Sequence, residues 1–182
     1  IYGAAKSGKS YLAIQLARCI ASGIPFLGKK TARGQVLYLQ FELGAEILQA
    51  RMRATSLDYS RVCVGTTFSL KLDQPSGQDQ LIRTMKAIEP SVLILDPFYK
   101  ILRGDENESQ DVGKVLDFLD EVVIDAFGCS IVILHHTGKD PSRGGRGSSI
   151  HEGWADSCVS IKKISGHGEP LRIKIMPQLL RH

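Results

Sequence analysis

The sequence predicts an α/β domain, a mostly parallel sheet flanked by helices and closed by a C-terminal antiparallel hairpin. Three observations predict it. Apolar runs of strand length alternate with stretches of helical periodicity through most of the chain, the pattern of a sheet built from β–α units. Two of those runs, SVLILD and CSIVILHH, are almost wholly apolar, as in strands covered on both faces. Near the end, SCVSIKKI and LRIKIM alternate apolar with polar or charged residues around the turn SGHGEP, which describes a β-hairpin.

Each element follows in order. Ile1 and Tyr2 read as the last residues of a strand. From Lys9, Leu12, Ala13, Leu16, Ala17 and Ile20 recur at three- and four-residue spacing, a helix that Gly23 and Pro25 end. QVLYLQF, residues 35–41, is rich in β-branched and aromatic types and reads as a strand, with Glu42 as the first polar residue beyond it. A helix is expected at 45–57, a short strand at 61–66, and an amphipathic helix at 78–89 through Leu81, Ile82, Met85 and Ile88, stopped by Pro90. SVLILDP is a buried strand that Pro97 cannot continue. After the loop RGDENES a helix is expected at 109–127, with Ser109 capping its start and Gly128 its end. CSIVILHH is the next strand. TGKDPSRGGRGSS, glycine-rich, basic and without periodicity, is the expected mobile loop. The hairpin follows, and Pro177 is expected to break its second strand.

At 182 residues, 43% apolar and 23% charged, the chain has the size of one domain spanning 1–182, and its abrupt ends suggest the core of something longer. No apolar run approaches the roughly 18 residues of a membrane span, and no signal or transit peptide opens the chain. Cys19, Cys63, Cys129 and Cys158 form no CxxC pair, so the expected compartment is reducing and cytoplasmic. A net charge of +4 and a pI of about 8.9 lean basic without reaching the nucleic-acid footprint of pI above roughly 9.

The chemistry begins in the first ten residues. GAAKSGKS fits the phosphate loop GxxxxGK[ST], with a strand before it and a helix directly after. Glycines let the backbone from Gly3 through Ala4, Ala5, Lys6, Ser7, Gly8, Lys9, Ser10 and Tyr11 turn its N–H groups around phosphates, at the positive end of the helix. The expected ligands are ATP and Mg²⁺, with Lys9 reaching the β- and γ-phosphates and Ser10 holding the metal. Asp96, ending SVLILD, is the second metal-site residue. Hydrolysis needs a carboxylate at the end of a neighbouring strand to activate water, and Glu42 is in that place. His135 and His136 lack a third ligand at a spacing suited to zinc. HEGWAD carries His151 and Glu152 but no second histidine of HExxH, so it is not read as a metalloprotease site. Trp154 is expected in the core, and Asp156 in a structural capping role.

With these pieces in place the chain resembles the RecA-like P-loop ATPases, and among them the plasmid RepA-type hexameric helicases (AAA-25-like), with a more distant likeness to DnaB-type replicative helicases. The matching stretches are GAAKSGKS followed by LAIQLARCIASGIPFLG, then GQVLYLQFE, VLILDPFYKILRGDENES, IVILHHTGK and RGSSIHEGWADSCVSI. The resemblance implies that Glu42 is the general base and Asp96 the acidic metal-site residue. It also implies that His136 senses the γ-phosphate and relays its loss to a DNA-binding loop, at a position where DnaB and RecA types usually carry Gln. Successive strand residues face opposite ways, so one of His135 and His136 faces the nucleotide, and His136 is preferred. Arg181 stands where the resemblance puts an arginine finger acting on the neighbouring subunit, with Lys174 and Arg146 as substitutes. Lys139, Arg143 and Arg146 would follow the phosphate backbone of single-stranded DNA. The implied partners are further copies of the chain in a hexameric ring and single-stranded DNA, with no membrane. A RecA- or RadA-type recombinase or a regulatory ATPase shares the same residues. A P-loop phosphotransferase is a further alternative, against which Glu42 argues, because a kinase excludes water.

Overall fold

The computed structural model describes residues 1–54, 59–66, 69–104, 108–136, 153–166 and 168–180. In chain order its elements are β1 (Tyr2–Gly3), α1 (Lys9–Ser22), β2 (Val36–Gln40), α2 (Ala45–Arg53), β3 (Val62–Gly65), α3 (Pro75–Ile88) and β4 (Val92–Asp96). A 3₁₀ turn at Phe98–Ile101 follows, then α4 (Ser109–Phe118), β5 (Ser130–Ile133), β6 (His135–His136), β7 (Ser157–Lys163) and β8 (Ile173–Leu180).

Strands order as β3-β2-β4-β5 and β6-β1-β7-β8. All pairings are parallel except β7 with β8, so the expected architecture of parallel strands plus a terminal hairpin is the one observed. The two groups meet where one chain segment changes partner. β5 runs beside β4, the Leu134 N–H still donates to Leu95 O at 2.9 Å, and the next residue, His135, donates instead to Ile1 O at 2.9 Å. Through that step β1, and the loop after it, lies beside the apolar half of the sheet.

Side-chain alternation sorts the core into two layers. Leu37, Leu39, Leu93 and Leu95 face a cluster with Leu81 and Met85 of α3 and Val112, Val115 and Leu116 of α4. Val36, Tyr38 and Ile94 face the other way, onto Ala13, Ile14 and Ala17 of α1 and Leu48 of α2. Trp154 is half-buried against the first layer, and its Nε1 donates to both Asp120 oxygens at 2.8 Å. Asp156 is exposed just ahead of β7.

Several boundaries differ from expectation. α3 begins at Pro75 rather than 78, because proline suits a helix's first turn, where its missing N–H has no partner to lose. The helix expected at 109–127 is α-helical only to Phe118 and continues as a π-helix over Leu119–Ala126, with Gly128 at φ 63 beyond its end. Ser109 is its first helical residue rather than its cap; Glu108 holds the N-cap position. β8 runs through Pro177, which lies opposite Val159 at a register shift between Cys158 and Val159. As the outermost strand with a local irregularity, β8 tolerates a residue that cannot donate to the ladder. α2 is described to Arg53, and residues 55–58 lie outside the described residues, as do 105–107 and the whole of TGKDPSRGGRGSS. None of the four cysteines is in a disulfide. Among the described residues no helix is long and apolar enough to cross a membrane.

Candidate active site

Parallel pairing brings the carboxyl ends of β1, β2, β4 and β6 to one edge, where Gly3 is opposite His136 and Gln40 opposite Asp96. The loop after β1 is shaped by what its glycines permit. A Cβ on Gly3 would lie 2.4 Å from Ile161 O, and Gly8 sits at φ 100, where a side chain is strained. The loop closes with Ser7 N–H donating to Ala4 O at 3.2 Å, and α1 starts at once from Lys9. No side chain caps that helix and no acidic residue stands in its first turn. Its leading N–H groups and its positive dipole end therefore face the loop, the arrangement that attracts phosphate.

Lys9 is buried, and its Nζ donates to Gly3 O and Ala4 O at 2.8 Å each and lies 3.2 Å from His136 Nδ1. These three contacts match the three donors of an ammonium. Burial holds its pKa down to about 8, against the pull of Asp96 and Glu42. With Lys9 donating to Nδ1, the neutral His136 ring carries its proton on Nε2, which lies 3.8 Å from Glu42 Oε2. Burial, reinforced by the Lys9 charge, lowers the His136 pKa and so favours that neutral form. The other Glu42 oxygen accepts a hydrogen bond from the Tyr99 hydroxyl.

Asp96 is buried at the end of β4. Its Oδ2 accepts from Tyr38 Oη at 2.5 Å and Gln40 Nε2 at 2.9 Å, and the nearby Ser10 hydroxyl favours the ionised carboxylate. Burial pushes the Asp96 carboxyl up from its ordinary range, while the Tyr38 and Ser10 hydroxyls work against that rise. The Tyr38 phenol is pushed up by burial and by the adjacent carboxylate. One hydroxyl and one carboxylate, both hard oxygen donors, fit a Mg²⁺ that keeps waters and phosphate oxygens for its other positions. Among the described residues no group of three or more His, Cys, Asp or Glu could hold a metal ion.

The structure thus gathers Lys9, Ser10, Glu42, Asp96 and His136. His135 takes the opposite face, edge-on to Phe98 with ring centroids 6.4 Å apart, and lines an apolar cavity of about 740 Å³ with Leu12, Leu16, Ile124 and Trp154. None of the gathered residues lines that cavity. Tyr11 is exposed on the first turn of α1, with the Arg51 guanidinium 4.6 Å from its ring centre. Lys174 is opposite Lys162 in the hairpin. Lys139, Arg143, Arg146, Arg181, His151 and Glu152 lie outside the described residues. Sequence reasoning missed Tyr38, Gln40 and Tyr99. The signal for the first two was present: polar groups at i and i+2 inside an apolar strand need partners on one face.

A family model described as AAA domain (AAA-25) matches residues 1–142. The chain belongs to that family. Among solved structures it is similar to a KaiC-like protein from the hyperthermophilic archaeon Pyrococcus horikoshii, at 19% identity and a TM-score of 0.71, covering 99% of this chain and 77% of that one. At that identity the likeness shows the fold, which is RecA-like. This AAA-25 member is accordingly a RecA-like P-loop ATPase.

Proposed function

We propose that this domain binds ATP with Mg²⁺ at the phosphate loop and hydrolyses it as the motor of a RepA-type DNA helicase or translocase, assembled as a ring. The observation that carries the hydrolytic reading is the placement of Glu42, with one oxygen held by Tyr99 and the other toward His136, beside the Lys9 ammonium. A carboxylate there can take a proton from water attacking the terminal phosphate. Lys9 serves the phosphates by exchanging its contacts to Gly3 O, Ala4 O and His136 Nδ1 for phosphate oxygens. Ser10 and Asp96 hold Mg²⁺, which supplies neutralisation of the phosphate charge.

The motor reading is supported by His136. It touches Lys9 and Glu42 and is followed directly by the basic stretch holding Lys139, Arg143 and Arg146, so a change at the phosphate end has a short path to a segment able to follow a nucleic-acid backbone. The test is the ATPase rate with and without single-stranded DNA, alongside the mass in solution. The expected result is a stimulated rate in an assembled ring. Neutralising Lys139, Arg143 and Arg146 together is expected to weaken DNA binding and flatten its salt dependence. If Arg181 acts on the neighbour's site, Arg181→Ala chains mixed with Lys9→Ala chains regain activity. DNA-independent hydrolysis by a monomer would point instead to a regulatory ATPase, and transfer to an acceptor without hydrolysis to a phosphotransferase.

A further inference from the structure

Resting on that hydrolytic reading, we propose that Gln40 is a positioning residue that holds the metal-site carboxylate and the base in one register. Its side chain is fully buried and makes three hydrogen bonds that divide between the two groups. Nε2 donates to Asp96 Oδ2 at 2.9 Å, while Oε1 accepts from the main-chain N–H of Glu42 at 2.6 Å and of Leu43 at 3.0 Å. Only one orientation of the carboxamide satisfies this set, since a carboxylate can only accept and two N–H groups can only donate. A flipped amide would put oxygen against oxygen and N–H against N–H.

The backbone explains why such a clamp acts on Glu42. β2 and β4 are in register at Gln40 and Asp96, and the last ladder bond beyond them runs from Phe41 N–H to Asp96 O at 2.9 Å. After Phe41 the chain leaves the sheet, and the next two N–H groups are taken by Gln40 Oε1. The position of Glu42 is therefore referred to Asp96 through one rigid planar group. Any shift of Asp96 would therefore be passed through Gln40 to the turn that carries Glu42.

Two variants test this. Gln40→Met keeps the volume and removes all three bonds; kcat at saturating Mg²⁺ and ATP is expected to fall about 10–100-fold, with affinity for a fluorescent ATP analogue held within about threefold. Gln40→Asn keeps the amide but is one methylene shorter, so it cannot reach Asp96 Oδ2 and the Glu42 and Leu43 N–H groups together. The same fall in kcat with nucleotide affinity held is expected, and this readout stands even if Gln40→Met fails to fold. A folded variant with kcat within twofold of wild type and only a lower Tm would overturn the proposal. A wild-type chain that binds Mg²⁺-ATP without hydrolysing it would instead overturn the hydrolytic reading, and the assignment of Gln40 with it.

Discussion

In β3-β2-β4-β5 the strands lie between two apolar layers, and all five residues of β2 are buried; in β6-β1-β7-β8 the strands at the site are two residues long and β7 has exposed residues at both ends. The two halves contribute to the site in different ways. The apolar half supplies side chains: Tyr38, Gln40 and Asp96 sit fully buried, where an unpaired polar group costs several kcal/mol, and they are paired with one another. Backbone is the main contribution of the other half, through Gly3 and the loop after it, with His136 at the strand end. On the proposed function, a charge that must keep its place is built into the apolar half, whereas the surface that would receive phosphate is built from main chain able to approach it closely.

The largest effect that would sharpen this contrast comes from Glu42→Gln, which keeps shape and the acceptor for Tyr99 while removing the proposed base. Turnover is expected to fall by about 10²–10⁴ with ATP binding retained, measured by steady-state hydrolysis and nucleotide titration. Near-normal turnover would reduce Glu42 to a loop residue. Next in size is stability: Leu95→Ala, buried between β2 and β5, is expected to lose about 2–5 kcal/mol in denaturant unfolding. Ile175→Ala in the half-buried outer strand is expected to lose less than half as much. Equal losses would erase the difference between the halves.

A smaller effect tests the electrostatics of the loop. Burial holds the Lys9 ammonium down to about 8, and on the proposed function the charge of bound phosphate would raise that pKa in the complex. Between the two values binding takes up a proton, so ATP affinity is expected to fall about tenfold per pH unit above about 8. An ordinary lysine would hold its affinity to about pH 10. Isothermal titration across pH 7–9.5 in buffers of different ionisation enthalpy reads both the affinity and the proton uptake; a flat affinity with no uptake would mean that Lys9 is not desolvated.

Most of the fold and the outline of the site were legible because they rest on local rules. The phosphate loop and α1, the two apolar strands ending at Gln40 and Asp96, and the alternating hairpin each announce themselves by spacing or periodicity. The two-residue period of a strand likewise separates the two histidines, and it is His136 that lies beside Lys9 and Glu42. What stayed hidden depends on register between distant segments. Tyr99 meets Glu42 across 57 positions and Gln40 meets Asp96 across 56, and no local pattern records which buried polar group will find which. The π-helical turn at Leu119–Ala126 escaped for a related reason, since α and π turns share apolar spacing over so short a stretch. Pro177 misled because a proline breaks a central strand but not an outermost one.

The smallest expected effect concerns the segment entering β7, on the cavity side of the sheet. Trp154 packs against the core layer and donates Nε1–H to both oxygens of Asp120 on the π-helical turn, joining the segment entering the hairpin half to the helix that covers the apolar half. Trp154→Phe keeps most of the packing and removes the donor. A hydrogen bond to a charged group contributes about 1.5–3 kcal/mol when sealed from water, but Asp120 is only partly buried and regains water when the indole is gone. The expected loss is therefore about 1 kcal/mol, a fall of about 2–4 °C in Tm for a chain of this length. ATP affinity and turnover are expected to stay within twofold, because Trp154 and Asp120 line the apolar cavity and touch none of Lys9, Glu42, Asp96 or His136. If instead turnover dropped while Tm held, the segment entering β7 would be acting on the Lys9 side of the sheet, and the division between a half that supplies buried side chains and a half that supplies backbone would have to be redrawn around it.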